Sequence, residues 1–514
     1  MKLGFADARR VVPFVFFAVL LFVGIGVFRD YGVSWDERVQ REYGEKVYNY
    51  VTAGDRELFT DRHRYYGPVI EFALFSLEKA LGLDDTRQVY LMRHLVVFLT
   101  FWLGAVFFYL LSKRELKSWK LGLLGSGLLI LSPRIFAHAF YNSKDIPFMC
   151  MFIIGIFTLV RYLDVRSFIR AAAHGVICAL LIDIRIVGVF LPVLTAGFVL
   201  REALKSKGTR SELRRIGLTF SLYIVILISL TVLLWPTLWR DPLGNFIRVF
   251  EGMRNFPWEA TVTYLGSDVW STQLPWHYIP VWIAVSTPLA VTVLFIVGLA
   301  VSIRTRSRIA VLAIAWFFLP LVYSILSGAV LYDAWRHTFF IYPAMLLLAA
   351  VGAGWLWGVI GARFRGTVRR VLAWGLVILI ALNLGSAAVF MVRNHPHQNV
   401  YFSALTGGIR GAEGRFDLDY WGLSYRQALE HVLANDPQDR IMVYAPNPPG
   451  WYNADILRPE ERKRLVFSGK PNRAQYYLTN FRWERSSPPG EEVFSIKVDG
   501  VRIMAVHRLH RISS

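Results

Sequence analysis

Apolar runs close to the ~20 residues that a helix needs to cross a bilayer recur along this chain, and they limit its fold more than any other feature. They fall at about residues 11–28, 89–112, 120–138, 146–163, 171–183, 186–200, 217–236, 278–301, 309–328, 338–358 and 372–391. The fifth and sixth are short. Hydrophobic residues make up 55% of the chain and charged residues only 18%, the balance of a polytopic helical membrane protein. A net charge of +20 raises the question of nucleic acid, but the charges sit in short clusters between the apolar runs. That placement speaks for membrane topology and against a nucleic-acid groove. Cys150 and Cys178 both lie inside apolar runs, so no disulfide framework is readable. Arg9 and Arg10 precede the first run and no small-residue cleavage site follows it, which makes it a retained span.

With the N-terminus inside, the inner loops contain "KRELKSWK", "RYLDVRSFIR", "REALKSKGTRSELRR", "RTRSR" and "RFRGTVRR". Every dense basic cluster then falls on one side, as the positive-inside rule requires. Eleven spans are expected, with a cytoplasmic N-terminus and an extracytoplasmic C-terminus. The expected organisation is a membrane domain over residues 1–391 and a small α/β domain over 392–514. Two further regions belong outside: a first loop at about 29–88, and a Trp-, Pro- and Gly-rich stretch at about 237–277, expected to form an irregular or half-helical cover. In the tail, "RIMVYA", "AQYYLTNF" and "EEVFSIKVDGVRIMAVHRL" predict strands, the last a hairpin turning on Asp499-Gly500. "SYRQALEHVLAN" predicts a helix.

The first outer loop opens on "GVSWDERVQREYGEKVYNYV". Ser34 and Glu37 make an S-x-x-E capping box, and Val39, Tyr43, Val47 and Val51 form the apolar stripe of an amphipathic helix. Capping accounts for Glu37 and leaves Asp36 available for chemistry. A second amphipathic stretch follows Arg62, His63 and Arg64 in "RHRYYGPVIEFALFSLEKALGL". "YNSKDIPF" brings Lys144 and Asp145 to the outer end of the fourth span, where they either cap it or join a site. "LIDIRIVGVFLP" holds Asp183 and Arg185, which either pair with each other or face that site. "LYDAWRHTFFIYP" sets Asp333, Arg336 and His337 at the start of the tenth span, His337 being either interfacial or functional. Ionisable groups at span ends are costly, and in this topology all of these face one side at similar depth.

These motifs, in this order, resemble those of the GT-C superfamily of integral-membrane glycosyltransferases, and family 39 in particular. That family includes protein O-mannosyltransferases and the lipid A aminoarabinose transferase. "WDERVQREY" resembles the family's D-E motif, "YYGPVIEF" its Pro-containing loop and "NSKDIPF" its second acidic motif. "IDIRIVGVFLP" resembles a segment that usually carries Lys where this chain has Arg185, and "WRHTFFIYP" an Arg-Tyr-to-Pro signature. The likeness spans about residues 1–345. Aminoarabinose transferases have Lys-Pro-Pro where this chain has Tyr66-Gly67-Pro68, and Arg64 is the nearest substitute for that lysine.

The resemblance implies an inverting transfer of a sugar from a polyprenyl-phosphate donor to a lipid, glycan or protein acceptor at the outer face of a bacterial inner membrane. Asp36 is the expected base, with Asp145 orienting substrate and Glu37 beside them. Arg64, Arg185 and Arg336 are expected to clamp the donor phosphate, with Lys144 and His337 completing the cationic set. A leaving phosphate needs cations rather than a general acid, so one carboxylate base suffices. No organic cofactor is implied, and a divalent metal is left open. The competing reading is a transporter or flippase, which would hold its critical charges at mid-depth.

Overall fold

The computed structural model describes residues 5–205, 209–254, 256, 258–484 and 488–509. In chain order the helices are α1 (Phe5–Val27), α2 (Trp35–Ala53), α3 (Val69–Ala80), α4 (Thr86–Glu115), α5 (Trp119–Ile130), α6 (Pro133–Tyr141), α7 (Asp145–Asp164) and α8 (Phe168–Ile184). They continue with α9 (Phe190–Lys205), α10 (Arg210–Leu234), α11 (Pro242–Arg254), α12 (Tyr278–Ser286), α13 (Leu289–Thr305), α14 (Arg308–Leu326), α15 (Tyr342–Arg363) and α16 (Gly366–Arg393). The tail adds α17 (Gly408–Ala412) and α18 (Tyr425–Asn435), then two short helices at Pro449–Tyr452 and Pro459–Lys463.

Among the described residues eight helices are long and apolar enough to cross a membrane, which makes the protein an integral membrane protein: α1, α4, α7, α9, α10, α14, α15 and α16. The pair α5–α6, bent by 68°, makes nine if it is one span. The expected eleven exceed this count because three apolar runs do not form single long helices. Pro133 opens α6 after a break at Leu131-Ser132. Pro288 splits another run into α12 and the 17-residue α13, with Thr287 held extended before it. The run at 171–183 lies within the 17-residue α8, which ends when Arg185 turns extended.

Burial sorts the spans. The most apolar stretches of α7 and α15 are 78% buried, whereas those of α1 and α16 are 22% and 11% buried, so the former pair is central and the latter faces lipid. Centrality demands close packing. α13 meets α15 where a Cβ on Gly298 would collide with the Leu348 carbonyl and one on Gly352 with the Leu294 carbonyl, the small-residue contact that lets membrane helices touch backbone to backbone.

In the loop between α1 and α4, α2 and α3 form as expected, but the buried face of α2 is Glu37, Gln40, Tyr43, Gly44 and Val47. The stripe is rotated from the expected one: Val51 is exposed and Val39 half-buried, because the helix packs its polar N-terminal turn inward. Between α10 and α12 lie α11 and a hairpin of β1 (Thr261–Tyr264) and β2 (Ser267–Trp270), turning through Leu265-Gly266, both at positive φ. The region expected to be half-helical therefore also contains a two-stranded sheet.

The tail carries a five-stranded sheet of β3 (Ile441–Tyr444), β4 (Leu465–Phe467), β5 (Tyr476–Thr479), β6 (Glu491–Val498) and β7 (Val501–Arg508) in the order β4-β3-β5-β7-β6. β3 runs parallel to β4 and β5, and β7 antiparallel to β5 and β6. The β6–β7 hairpin turns on Asp499-Gly500, both at positive φ, as the Asp-Gly pair predicts. This tail is bonded to the start of the loop between α1 and α4. Asn453 Oδ1 accepts from the Val33 N–H at 2.9 Å and its amide donates back to the Val33 carbonyl, while Arg426 donates to the Tyr31 carbonyl at 2.9 Å.

Candidate active site

Two adjacent acids at the start of α2 go opposite ways. Glu37 is buried: its Oε2 accepts from the Ser34 N–H at 2.7 Å, closing the cap, and its Oε1 lies 2.9 Å from His94 Nε2 on α4. Asp36 instead faces a cleft and keeps 31% of its side chain exposed there. Successive helical residues diverge by about 100°, so one acid serves the core and the next the cavity.

Asp145 opens α7, where Asn142 fixes it from both sides. The Asn142 Oδ1 accepts from the Asp145 N–H at 2.8 Å, and its amide donates to Asp145 Oδ2 at 2.9 Å. Arg185, at the C-terminal end of α8, donates to Asp145 Oδ1. Asp183 does not pair with Arg185. It is fully buried, neither of its oxygens has a hydrogen-bond partner among the described residues, and a Cβ on Gly67 would collide with its backbone carbonyl.

Arg336, just ahead of α15, gathers the site. Its Nη1 is 3.0 Å from Asp36 Oδ2 and 3.2 Å from Asp145 Oδ2, and its Nη2 is 3.3 Å from Asp333 Oδ2. Its guanidinium lies 4.8 Å from the ring centroids of both Tyr332 and Trp421. Asp333 and Ala334 both adopt positive φ, a strained turn of the kind that persists where surrounding contacts over-determine it. Asp333 Oδ1 in turn accepts from Arg482 at 2.6 Å, a residue of the tail. Three guanidinium groups and two carboxylates thus alternate from Arg185 through Asp145, Arg336 and Asp333 to Arg482, with Asp36 branching off Arg336.

The cleft encloses about 1620 Å³, its open mouth included. Among its lining residues Phe190 and Phe250 both pack on Tyr323, beside Ile186 and Val187, and make an apolar stretch of wall. The part that holds Asp36 is aromatic and charged, with Trp35, Trp258, Tyr332, Arg482 and Trp483. Lys144 lies over the Tyr66 ring, and His337 packs edge-on to Tyr332 at 4.7 Å with its Nδ1 unpartnered among the described residues. Burial pushes Asp36 up from the usual carboxylate range, Arg336 opposes this, and Asp333 and Asp145 add to it. Its exposure is to a protein-walled cleft rather than to bulk water, so desolvation persists despite the accessible surface. Burial, then Arg185, pushes the Lys144 ammonium well down. His63, also on the wall, is pushed down to about 4 by burial and so meets the cleft uncharged at neutral pH.

Of the residues singled out in the sequence, Asp36, Lys144, Asp145, Arg185, Arg336 and His337 come together. Glu37 stands behind the cleft wall. Arg64 does not join them: it donates to the Phe59 carbonyl at 2.9 Å and to the Tyr65 hydroxyl at 3.0 Å, ordering its own loop. Asp333, noted beside Arg336 in the sequence but given no role there, joins them, whereas Arg482, Trp258 and Trp483 were not expected in the site. Asp333 had a signal, being three residues before Arg336. Nothing local marks Arg482. Among the described residues no group of three or more His, Cys, Asp or Glu side chains is arranged to hold a metal ion. The centre of the carboxylate cluster is filled by the Arg336 guanidinium, so the donor set does not fit a metal.

No family model matches the chain, and no curated protein sequence does. Solved structures do. The crystal structure of the Archaeoglobus fulgidus oligosaccharyltransferase in the apo form is 8% identical, with a TM-score of 0.50 over 90% of this chain and 69% of that one. An archaeal oligosaccharyltransferase from the same organism, in complex with an inhibitory peptide and a dolichol-phosphate, is also 8% identical, with a TM-score of 0.47 over 91% of this chain and 69% of that one. At such identity the first likeness speaks for architecture alone: the helical membrane body and its C-terminal tail share the fold of that structure.

Proposed function

We propose that this protein is an inverting glycosyltransferase that moves a sugar from a polyprenyl-phosphate donor to an acceptor hydroxyl at the outer face of the membrane. The observation that carries the reading is Asp36. It is a carboxylate fixed at one oxygen by Arg336, facing a cleft that is apolar in one part and charged in another. Such a cleft suits a substrate with a hydrocarbon chain and an anionic head. The family 39 likeness of the first outer loop and of the segments at Asp145 and Arg336 agrees with it, as does the fold shared with the oligosaccharyltransferase.

Asp36 accepts the proton of the acceptor hydroxyl as that oxygen attacks the anomeric carbon. The bond from that carbon to the phosphate oxygen breaks, and its electron pair leaves with the phosphate. Attack opposite the leaving group inverts the centre. Arg185 and Lys144 on the cleft wall receive the phosphate's growing charge, and that charge offsets the desolvation that otherwise pushes the Lys144 proton off. Arg336 is committed to three carboxylates, so its part is to hold Asp36 and Asp145 in place. His337 borders the same space. No step is routed through a metal.

The cluster also argues against a transporter. Asp36 and Asp145 stand in the first turns of α2 and α7, Arg185 at the C-terminal end of α8 and Arg336 just before α15, all at helix ends rather than at mid-span. The test is genetic and chemical together. Deletion of the gene should cause a polyprenyl-phosphate-linked sugar to accumulate, detected by mass spectrometry of lipid extracts. Wild-type protein should clear it and Asp36→Asn should not. No accumulation, or equal clearance by both, overturns the reading.

A further inference from the structure

Four aromatic rings and one arginine border the cleft where Asp36 stands, and they come from four separate stretches of the chain. Trp35 directly precedes Asp36. Trp258 stacks on Tyr332 at 4.3 Å with 13° between the ring planes, and its centroid lies 6.4 Å from that of Trp483. Trp483 also meets Trp35 edge-on at 5.7 Å. The Arg482 guanidinium lies 4.4 Å from the Trp483 ring centroid and 5.2 Å from that of Trp35.

This arrangement is held in place from outside the cleft. The Trp483 indole N–H donates to the Thr261 carbonyl on β1 at 2.8 Å, which fixes the ring's orientation. Phe481 and Trp483 both adopt positive φ, so the tail segment that carries them is strained into this position. Trp483 nevertheless leaves 45% of its surface exposed, although burying an indole is among the largest apolar gains a fold can make. Arg482 is itself buried, ion-paired to Asp333 through one nitrogen, with its Nε unpartnered among the described residues.

The C–H face of a pyranose is apolar and slightly electropositive, and it lies well on the electron-rich face of an indole or phenol. A sugar's hydroxyl edge needs a fixed acceptor, which Asp36 supplies, while Arg482, its terminal nitrogens taken by the Tyr420 carbonyl and Asp333, fixes the Trp483 ring from behind. A peptide laid on as an added strand would instead call for a free sheet edge beside the base. Neither hairpin strand offers one to the cleft: of β1 and β2, no residue lines it. We infer that this aromatic mouth is the acceptor subsite and that the acceptor is a saccharide, held by Trp258 and Trp483, with Tyr332 backing Trp258, so that one hydroxyl reaches Asp36. The inference rests on the transferase reading above.

The experiment uses the full chain in detergent and two probes read separately. The first is farnesyl phosphate, which tests the donor site. The second is a panel of oligosaccharides of neutral, amino and acidic pyranoses, with Ser/Thr-containing peptides of similar mass as the contrast, followed by saturation-transfer NMR and titration. Wild type should bind farnesyl phosphate and at least one oligosaccharide. Trp483→Ala should weaken oligosaccharide binding by about three- to tenfold while retaining farnesyl phosphate binding. Trp483→Phe, which keeps a ring but not the N–H that bonds Thr261, should lose less affinity than Trp483→Ala and guards against mere misfolding. Binding of peptides but no oligosaccharide, oligosaccharide affinity indifferent to Trp483, or no oligosaccharide bound at all would each overturn the subsite. Loss of farnesyl phosphate binding in the folded Trp483→Ala protein would assign the mouth to the donor and overturn it too. Failure of wild type to bind farnesyl phosphate strikes instead at the transferase reading, and the two failures are thereby distinct.

Discussion

Arg336 Nη1 stands 3.0 Å from Asp36 Oδ2, tying the loop between α1 and α4 to the segment that leads into α15. The contact leaves Asp36 only one oxygen for an incoming hydroxyl. It also sets a pH dependence. Burial, outweighing Arg336, raises Asp36 above the ordinary carboxylate value, and the ionised form is the base. Transfer should therefore be full well above that raised value and fall as pH drops through it. The acid limb of kcat/KM should lie above the ~3.9 of a free aspartate, and Asp36→Glu should move it. A profile flat down to the range of a free carboxylate would remove Asp36 as the titrating base.

The neighbouring acids should separate cleanly on substitution. Asp36→Asn removes the proton acceptor and should cut turnover by roughly 10²–10⁴ with the fold intact. Glu37→Gln keeps an oxygen for the Ser34 N–H and should leave turnover within a few-fold. Glu37→Ala strands both that N–H and His94, costing about 1–3 kcal/mol and lowering Tm. Thermal unfolding and transfer measured on the same preparations decide it: a turnover loss in Glu37→Gln as deep as that in Asp36→Asn would contradict the division of labour.

How far these features could be read in the sequence depended on range. Ser34 and Glu37 are three residues apart, and their cap follows from that spacing alone. Arg185 shows the limit. Asp183 is the nearer acid in sequence, yet α8 ends between them and Arg185 adopts extended backbone, so its side chain leaves on another course and meets Asp145 on α7. Arg482 and Trp483 reach the cleft from the tail, and no local pattern encodes a pairing with Asp333. Hydropathy windows likewise register apolar length but not the break that Pro288 makes, which is why one expected span is two helices. The Asp499-Gly500 hairpin was legible because a two-residue turn demands positive φ that Gly adopts without strain.

The native cysteines permit a direct test of topology. Cys150 and Cys178 are buried, so added cysteines stand against a low background. Lys470→Cys in the exposed tail should be labelled by a membrane-impermeant maleimide in right-side-out vesicles. Thr305→Cys, exposed at the inner end of α13, should be labelled only after permeabilisation. The reverse pattern would put the cleft on the cytoplasmic side and end the proposal of transfer at the outer face.

Arg185 and Arg336 should fail in different ways, because their surroundings differ. Arg336 is buried among Asp36, Asp145 and Asp333, and its loss leaves three carboxylates without their common partner. Breaking a buried ion pair from one side costs about 3–5 kcal/mol, so Arg336→Ala should fall in Tm and yield more than it loses in donor binding. Arg336→Lys keeps the charge but not the planar fork that spans three partners, and should recover stability more than turnover. Arg185 lies on the cleft wall with one carboxylate partner, where Arg336 has three. Its removal costs a phosphate one charge-assisted contact, about 1.5–3 kcal/mol, or roughly ten- to hundredfold in donor affinity. Arg185→Lys should be partly tolerated as a point charge. The measurement is farnesyl phosphate binding beside thermal unfolding for all four variants. Unchanged affinity in a stable Arg185→Ala protein would take Arg185 out of the phosphate site. A stable Arg336→Ala protein with weakened donor binding would instead make Arg336 the clamp.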